Sequence, residues 1–128
     1  KLSMKKLLLL LFSIFISFSS YAEWFRTAID HNEDIHYIDF ENIEQSNGLT
    51  YYWEMVNYTE PTDEHLSIAI YHVGDCKVNR YRDLIFNVYT QEMAAGEFET
   101  LTIPDDWIYP ITGSLDEYIF GWVCKWVE

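Results

Sequence analysis

Cys76 and Cys124 are the only two cysteines in the 128-residue chain, and what they do depends on where the chain is sent. In a reducing cytosol two lone thiols constrain little. In an oxidising compartment they are the one internal pair available, and a bond between them closes nearly half of residues 23–128 into a loop. The chain-entropy account gives such a loop about 4 kcal/mol, a large share of the ~5–15 kcal/mol that holds a domain together.

The first 22 residues read as an export signal. Lys5 and Lys6 follow Met4, Leu7 to Phe18 is apolar apart from Ser13 and Ser17, and Ser20-Tyr21-Ala22 places small residues at −3 and −1 of a cleavage point. The apolar run is about 12 residues, short of the ~20 a spanning helix needs, so no stable membrane insertion is expected after cleavage. Lys1-Leu2-Ser3 lie ahead of Met4 and read as a short non-native leader upstream of the natural start. The expected division is a signal peptide over 1–22 and one domain over 23–128, a length that suits a single small core. Periplasm or outer surface of a Gram-negative cell is the expected destination.

Within 23–128 the only bases are Arg26, Lys77, Arg80, Arg82 and Lys125, five against 21 acids, a net of −16. A chain this acidic has little with which to displace phosphate counterions, so it is a poor candidate for anionic lipid, and no nucleic-acid partner is expected.

Aromatic and β-branched residues dominate this part, broken at intervals by turn residues, the pattern of an antiparallel sheet. Strands are expected over 24–29, 35–39, 49–59, 66–73, 78–89 and 97–102. Polar turns are expected at 30–34, 60–64 and Gly74-Asp75, and a tight hairpin at Asn47-Gly48. On the third strand Tyr51, Trp53 and Met55 share one face and Tyr52, Glu54 and Val56 the other. In 78–89, strict alternation groups Arg80 and Arg82 with Leu84, Phe86 and Val88. From Ser114 the period changes: Leu115, Tyr118, Ile119, Trp122 and Val123 fall on one helical face, opened by a Ser114/Glu117 capping box. Ideal geometry turns Cys124 away from that stripe, so the helix is expected to end or unwind near it. The fold class is α+β.

The order of landmarks from Trp24 onward resembles the surface-adhesin protein E-like family. The pieces are Tyr37-Ile38-Asp39, the run Trp53 to Tyr58, Asp75-Cys76, Arg80 to Leu84, Trp107-Ile108-Tyr109-Pro110, Gly113-Ser114 and Cys124. The resemblance implies a six-stranded antiparallel sheet with a C-terminal helix tied to it by a Cys76–Cys124 bridge. It also implies a non-enzymatic envelope protein that binds a host or envelope protein, as a monomer or weak dimer. The alternative it leaves open is a periplasmic accessory protein taking haem or another small ligand. The acidity departs from an adhesin that would engage acidic partners.

Several groups of residues suggest chemistry. Lys77, Arg80 and Arg82 form the one positive patch, able to steer an acidic partner or to pair with Asp75, Asp83 and cross-strand acids. Trp126, beyond the last cysteine, is the best candidate among the tryptophans for an exposed anchor. His31, His36, His65 and His72 stand in no His-x-His or His-x3-His pair and read as surface and strand histidines. His72, beside the sheet and its aromatic residues, is the one to consider as a ligand. Asp30, Asn32, Asp34 and Glu41 imitate calcium-loop spacing, but Ile35 stands where that loop requires glycine. They read as a hairpin turn, and no metal or cofactor is expected. With both cysteines assigned to a bridge and no G-x-S-x-G elbow, catalysis is not expected.

Overall fold

A computed structural model describes residues 22–128; the export signal read over 1–22 lies, but for Ala22, outside the described residues. Among the described residues seven strands make one antiparallel sheet: β1 (Phe25–Ile29), β2 (Ile35–Ile38), β3 (Glu44–Ser46), β4 (Leu49–Thr62), β5 (His65–Asp75), β6 (Arg80–Tyr89) and β7 (Phe98–Leu101). Their order is β1-β2-β4-β5-β6-β7, with β3 paired to the start of β4. Among the described residues one α-helix, α1 (Leu115–Trp126), follows the strands, besides a short 3-10 turn at Phe40–Asn42. The disulfide joins Cys76, just past β5, to Cys124 on α1, with the two Cα atoms 5.7 Å apart. This is the α+β architecture expected, with the short strand β3 added by the Asn47-Gly48 hairpin. Both turn residues there have positive φ, 53° and 80°, as a tight two-residue hairpin requires.

Four local expectations are corrected. The loop expected over 60–64 is shorter, because β4 runs through Pro61 to Thr62 and the turn is made by Asp63 and Glu64, both at positive φ. Pro61 is accommodated because the β4–β5 ladder is interrupted between Asn57 and Thr62, so no ladder hydrogen bond is asked of its missing amide. Gly74 and Asp75 remain in β5, and the turn falls on 76–79. Gly74 has a packing reason instead: a Cβ there would stand 2.6 Å from Cε1 of Phe120.

The third correction concerns β6. Tyr71 pairs Ile85 while His72 pairs Asp83, so Leu84 is an extra residue and strict alternation fails across it. Tyr81 and Asp83 therefore share the helix-facing side with Phe86 and Val88, whereas Arg80 and Arg82 point to the opposite side.

The fourth concerns the helix. Ser114 caps it as expected, its hydroxyl accepting from the Glu117 amide at 3.2 Å, while the Glu117 carboxylate reaches one residue further back, to the Gly113 amide at 3.1 Å. The buried face, however, is Ile119, Phe120 and Val123, with Leu115 and Cys124 packed at its margin. Tyr118 and Trp122 are 52% and 46% exposed. The true apolar face is thus rotated toward Phe120, and Cys124, four residues on, lies on the same side. The helix has no need to unwind before its cysteine, and it continues to Trp126.

The core beneath α1 joins Ile38, Tyr52 and Tyr81 to Ile119, Phe120 and Val123. Further along the same sheet face, Val56, Ile68, Ile70 and Val88 form a second cluster. The opposite face is covered in part by the β6–β7 loop. Ser67, fully buried, donates to the Gln91 carbonyl at 2.6 Å and accepts from the Ala94 amide at 3.0 Å.

Candidate functional site

Between the two apolar clusters runs a line of alternating charges, one from each successive strand. Asp30 lies in the turn after β1. Its Oδ1 accepts from the amides of Asn32 and Asp34, and its Oδ2 faces His36 Nε2 at 3.0 Å. His36 Nδ1 lies 3.4 Å from Glu54 Oε2, and Glu54 Oε1 lies 2.8 Å from His72 Nε2. His72 Nδ1 then meets Asp83 Oδ1 at 2.8 Å, an ion pair off the hydrogen-bond axis in which neither atom has another partner. Every imidazole nitrogen in the line faces a carboxylate. A carboxylate against each ring nitrogen favours the protonated form, the one form that carries a proton on both. The line therefore holds two imidazolium ions between three carboxylates.

Burial sets the cost of this arrangement and the neighbours reverse it. Burial alone would push the Glu54 carboxyl upward; hydrogen bonds from His36 and His72 hold it at about 2. Burial would lower both imidazoles, yet Glu54 and Asp30 raise His36 to about 8, and Asp83 and Glu54 raise His72 to about 9. Aromatic rings wall the line: Tyr52 lies 4.9 Å from the His72 ring and Tyr81 meets it edge-on at 5.3 Å. Burial, reinforced by the nearby acids, pushes both phenols upward. His72 is thus an enclosed residue, 3% exposed, with both nitrogens engaged.

The positive patch lies on the other face of β6. Arg80 donates from Nε and Nη2 to Asp75 at 3.3 Å, and Arg82 Nη1 stands 3.3 Å from Asp105. Trp107 lies under both guanidinium groups, 4.1 Å and 5.1 Å from ring centre to Cζ. Of the acids considered as partners for this patch, Asp75 pairs with Arg80, whereas Arg82 pairs with Asp105 and Asp83 serves His72. Lys77 sits in the turn over 76–79. Trp126 is on the helix, on the far side of the sheet from these arginines.

Trp126, 56% exposed, belongs to a different feature. A groove of about 290 Å³ runs between β1 and α1, lined by Phe25, Arg26, Thr27, Phe40, Tyr118, Trp122 and Trp126. Phe40 lies 5.1 Å from Trp126 and 6.1 Å from Phe25 between ring centres, and Tyr118 meets Trp122 edge-on at 6.2 Å. Tyr118, Trp122 and Trp126 follow one another at four-residue steps, a second stripe beside the buried one. A larger hollow, about 420 Å³, lies elsewhere, lined by residues including Trp24, Trp53, Tyr89 and Met93.

Sequence reasoning missed Glu54 as the centre of the charged line and Arg26 as a groove residue. Glu54 left a signal, being the one charged residue between Tyr51 and Val56 on a strand otherwise rich in large side chains. Arg26 left none, because only the packing of α1 beside β1 makes it part of anything.

Among the described residues no helix is long and apolar enough to cross a membrane. No curated protein matches the chain. Residues 24–125 match the family described as Surface-adhesin protein E, a span that takes in every described strand, all but the last residue of the helix and both cysteines of the bridge. The chain belongs to the surface-adhesin protein E family.

Proposed function

We propose that this is an exported, non-catalytic binding protein of the cell envelope or surface: residues 1–22 direct export, and residues 23–128 are the working domain. Its partner is a host or envelope protein, engaged by the domain as a monomer or weak dimer. The observation that carries this reading is the aromatic groove. Phe25, Tyr118, Trp122 and Trp126 are each about half exposed, although a core this small gains most from large rings fully buried. Half-exposed Trp and Tyr beside an Arg are the residue types that dominate protein interfaces.

The absence of catalysis has two supports. Both cysteines are in the bridge, which removes the thiol nucleophile. His72 is enclosed, 3% exposed, with a carboxylate against each nitrogen, so neither nitrogen is presented to a substrate as a base. The arginine patch, with Lys77 beside it, is in this reading a secondary contact that steers rather than anchors.

Proteinase K treatment of intact cells tests the location. The domain is expected to be clipped from whole cells; protection until the outer membrane is permeabilised would place it in the periplasm and defeat the surface reading. Immobilised 23–128 is expected to retain a host matrix or envelope protein, and to lose it when Trp122 and Trp126 are both changed to alanine.

A further inference from the structure

The groove adjoins one of the sheet's open edges, that of β1. β1 is an outer strand, and among the described residues nothing pairs with its outer side. Exposed edges are ordinarily blunted by charge, proline or distortion. β1 carries one bulge, between Arg26 and Ala28, and a single charge, while Phe25 and Ile29 at its ends are 47% and 49% exposed. Its unpaired amides and carbonyls therefore lie beside a row of half-exposed rings.

Arg26 supplies the second observation. Arg80 and Arg82 are each held by a carboxylate, whereas Arg26 has no ion pair among the described residues, on a domain where acids outnumber bases by 21 to five. A guanidinium left without an acid in such surroundings is positioned for an anionic group brought from outside.

We propose that the free edge of β1 and the adjoining groove take an extended peptide, which adds as a further strand beside β1, sets an apolar or aromatic side chain against Trp122 and Trp126, and places a carboxylate on Arg26. Main-chain hydrogen bonds to the edge supply affinity and the alternate side chains supply selection, as in other strand additions. Charge favours a peptide over a second copy of the chain, because a second copy brings its own net of −16 against the same face. The inference rests on the binding-protein reading and names the partner's local chemistry.

Two synthetic heptapeptides test it. Both alternate valine and threonine around a central phenylalanine; one carries glutamate and the other lysine at the following position. With the isotopically labelled 23–128 domain, the glutamate peptide is expected to shift amide resonances of Phe25–Ile29 and Phe40 and the indole resonances of Trp122 and Trp126. It should bind about tenfold more tightly than the lysine peptide, the effect of roughly one charge-assisted contact. Arg26→Glu should reverse that preference, and Trp122→Ala should weaken both peptides alike. Both residues lie outside the buried core, so the variants should keep the native spectrum elsewhere, and that spectrum is the control. Equal affinity for the two peptides, a preference that survives Arg26→Glu, or shifts confined to another surface would overturn the proposal. So would broadening of the β1 resonances with protein concentration alone, which would assign the edge to a second copy. Should the peptides fail while the immobilised domain still retains its partner, only this site is rejected; protease protection in whole cells would instead reject the surface reading and leave the site standing.

Discussion

β5 and β6 carry charges on both faces, and the two sets behave oppositely. On the helix side His72, Glu54 and His36 are enclosed and the line ends on the partly buried Asp30 and Asp83. On the other side Arg80 and Arg82 lie nearer the surface, Arg80 on the partly buried Asp75 and Arg82 on Asp105, whose side chain is 85% exposed. The residue types are similar and the distances overlap. What differs is solvent. Where water is excluded, each charge depends on its neighbour, because an unpaired ion in the interior costs several kcal/mol. Where water reaches, the partner is replaceable, and the pair contributes little beyond orienting the guanidinium groups over Trp107. Depth rather than charge count separates a structural network from a negotiable surface.

Removing the helix's tether should do most to erase that difference. Cys76→Ser with Cys124→Ser is expected to cost about 4 kcal/mol in urea unfolding, from the 48-residue separation the bond spans. It should also flatten the pH dependence, since a loosened α1 admits water to the line. Cutting the line at its centre comes next. Glu54→Leu should cost roughly 3 kcal/mol by thermal denaturation, the low end for a broken buried pair because Asp30 and Asp83 still hold the two rings. A variant as stable as the parent would show that the line contributes nothing net. Gly74→Ala tests the packing above it: the 2.6 Å approach to Phe120 predicts a loss of about 1–3 kcal/mol, recovered in part by Phe120→Leu.

The pH profile sharpens the comparison without any mutation. His36 and His72 are raised in the folded state to about 8 and about 9, so their contribution is complete below the ordinary histidine value near 6.5 and is lost as pH rises through 8 to 9. Glu54 is depressed to about 2, so its contribution is complete above its ordinary value near 4.5 and is lost as pH falls toward 2. Urea midpoints should therefore peak between about pH 4.5 and 6.5 and fall on both sides. A midpoint still rising from pH 7 to 9 would contradict the assignment of two buried imidazolium ions. The smallest effect belongs to the exposed set: Arg80→Ala and Asp105→Asn should leave the melting temperature nearly unmoved. Any shift they cause should vanish in molar salt, where screening acts over about 3 Å.

Most strands were legible because their evidence is local. Val, Ile, Tyr and Trp alternate with polar residues, and Asn47-Gly48 announces its own turn. The misreadings share a cause: each needed a partner segment to be known. Strict alternation put Arg82 on the side of Phe86, because nothing in 78–89 declares that Leu84 will bulge opposite the Tyr71–His72 step. The helical stripe was read through Tyr118 and Trp122, because hydrophobicity alone cannot tell a ring that packs on Gly74 from one that lines a groove. His72 stood out as an isolated histidine, but its two acids come from strands 18 residues before it and 11 after, and no spacing rule joins them.

Residue order alone determined the antiparallel sheet, the terminal helix with its Ser114 cap, the pairing of the only two cysteines and the acidic balance, since each follows from near-neighbour chemistry or simple counting. The tertiary structure decided which face of each element meets which: the rotation of α1 that turns Cys124 toward the sheet, the line of charges across five segments, and the meeting of Arg26 with Trp122 and Trp126. Those depend on distances between segments far apart in the chain, which exist only once strand register and helix placement have brought them together.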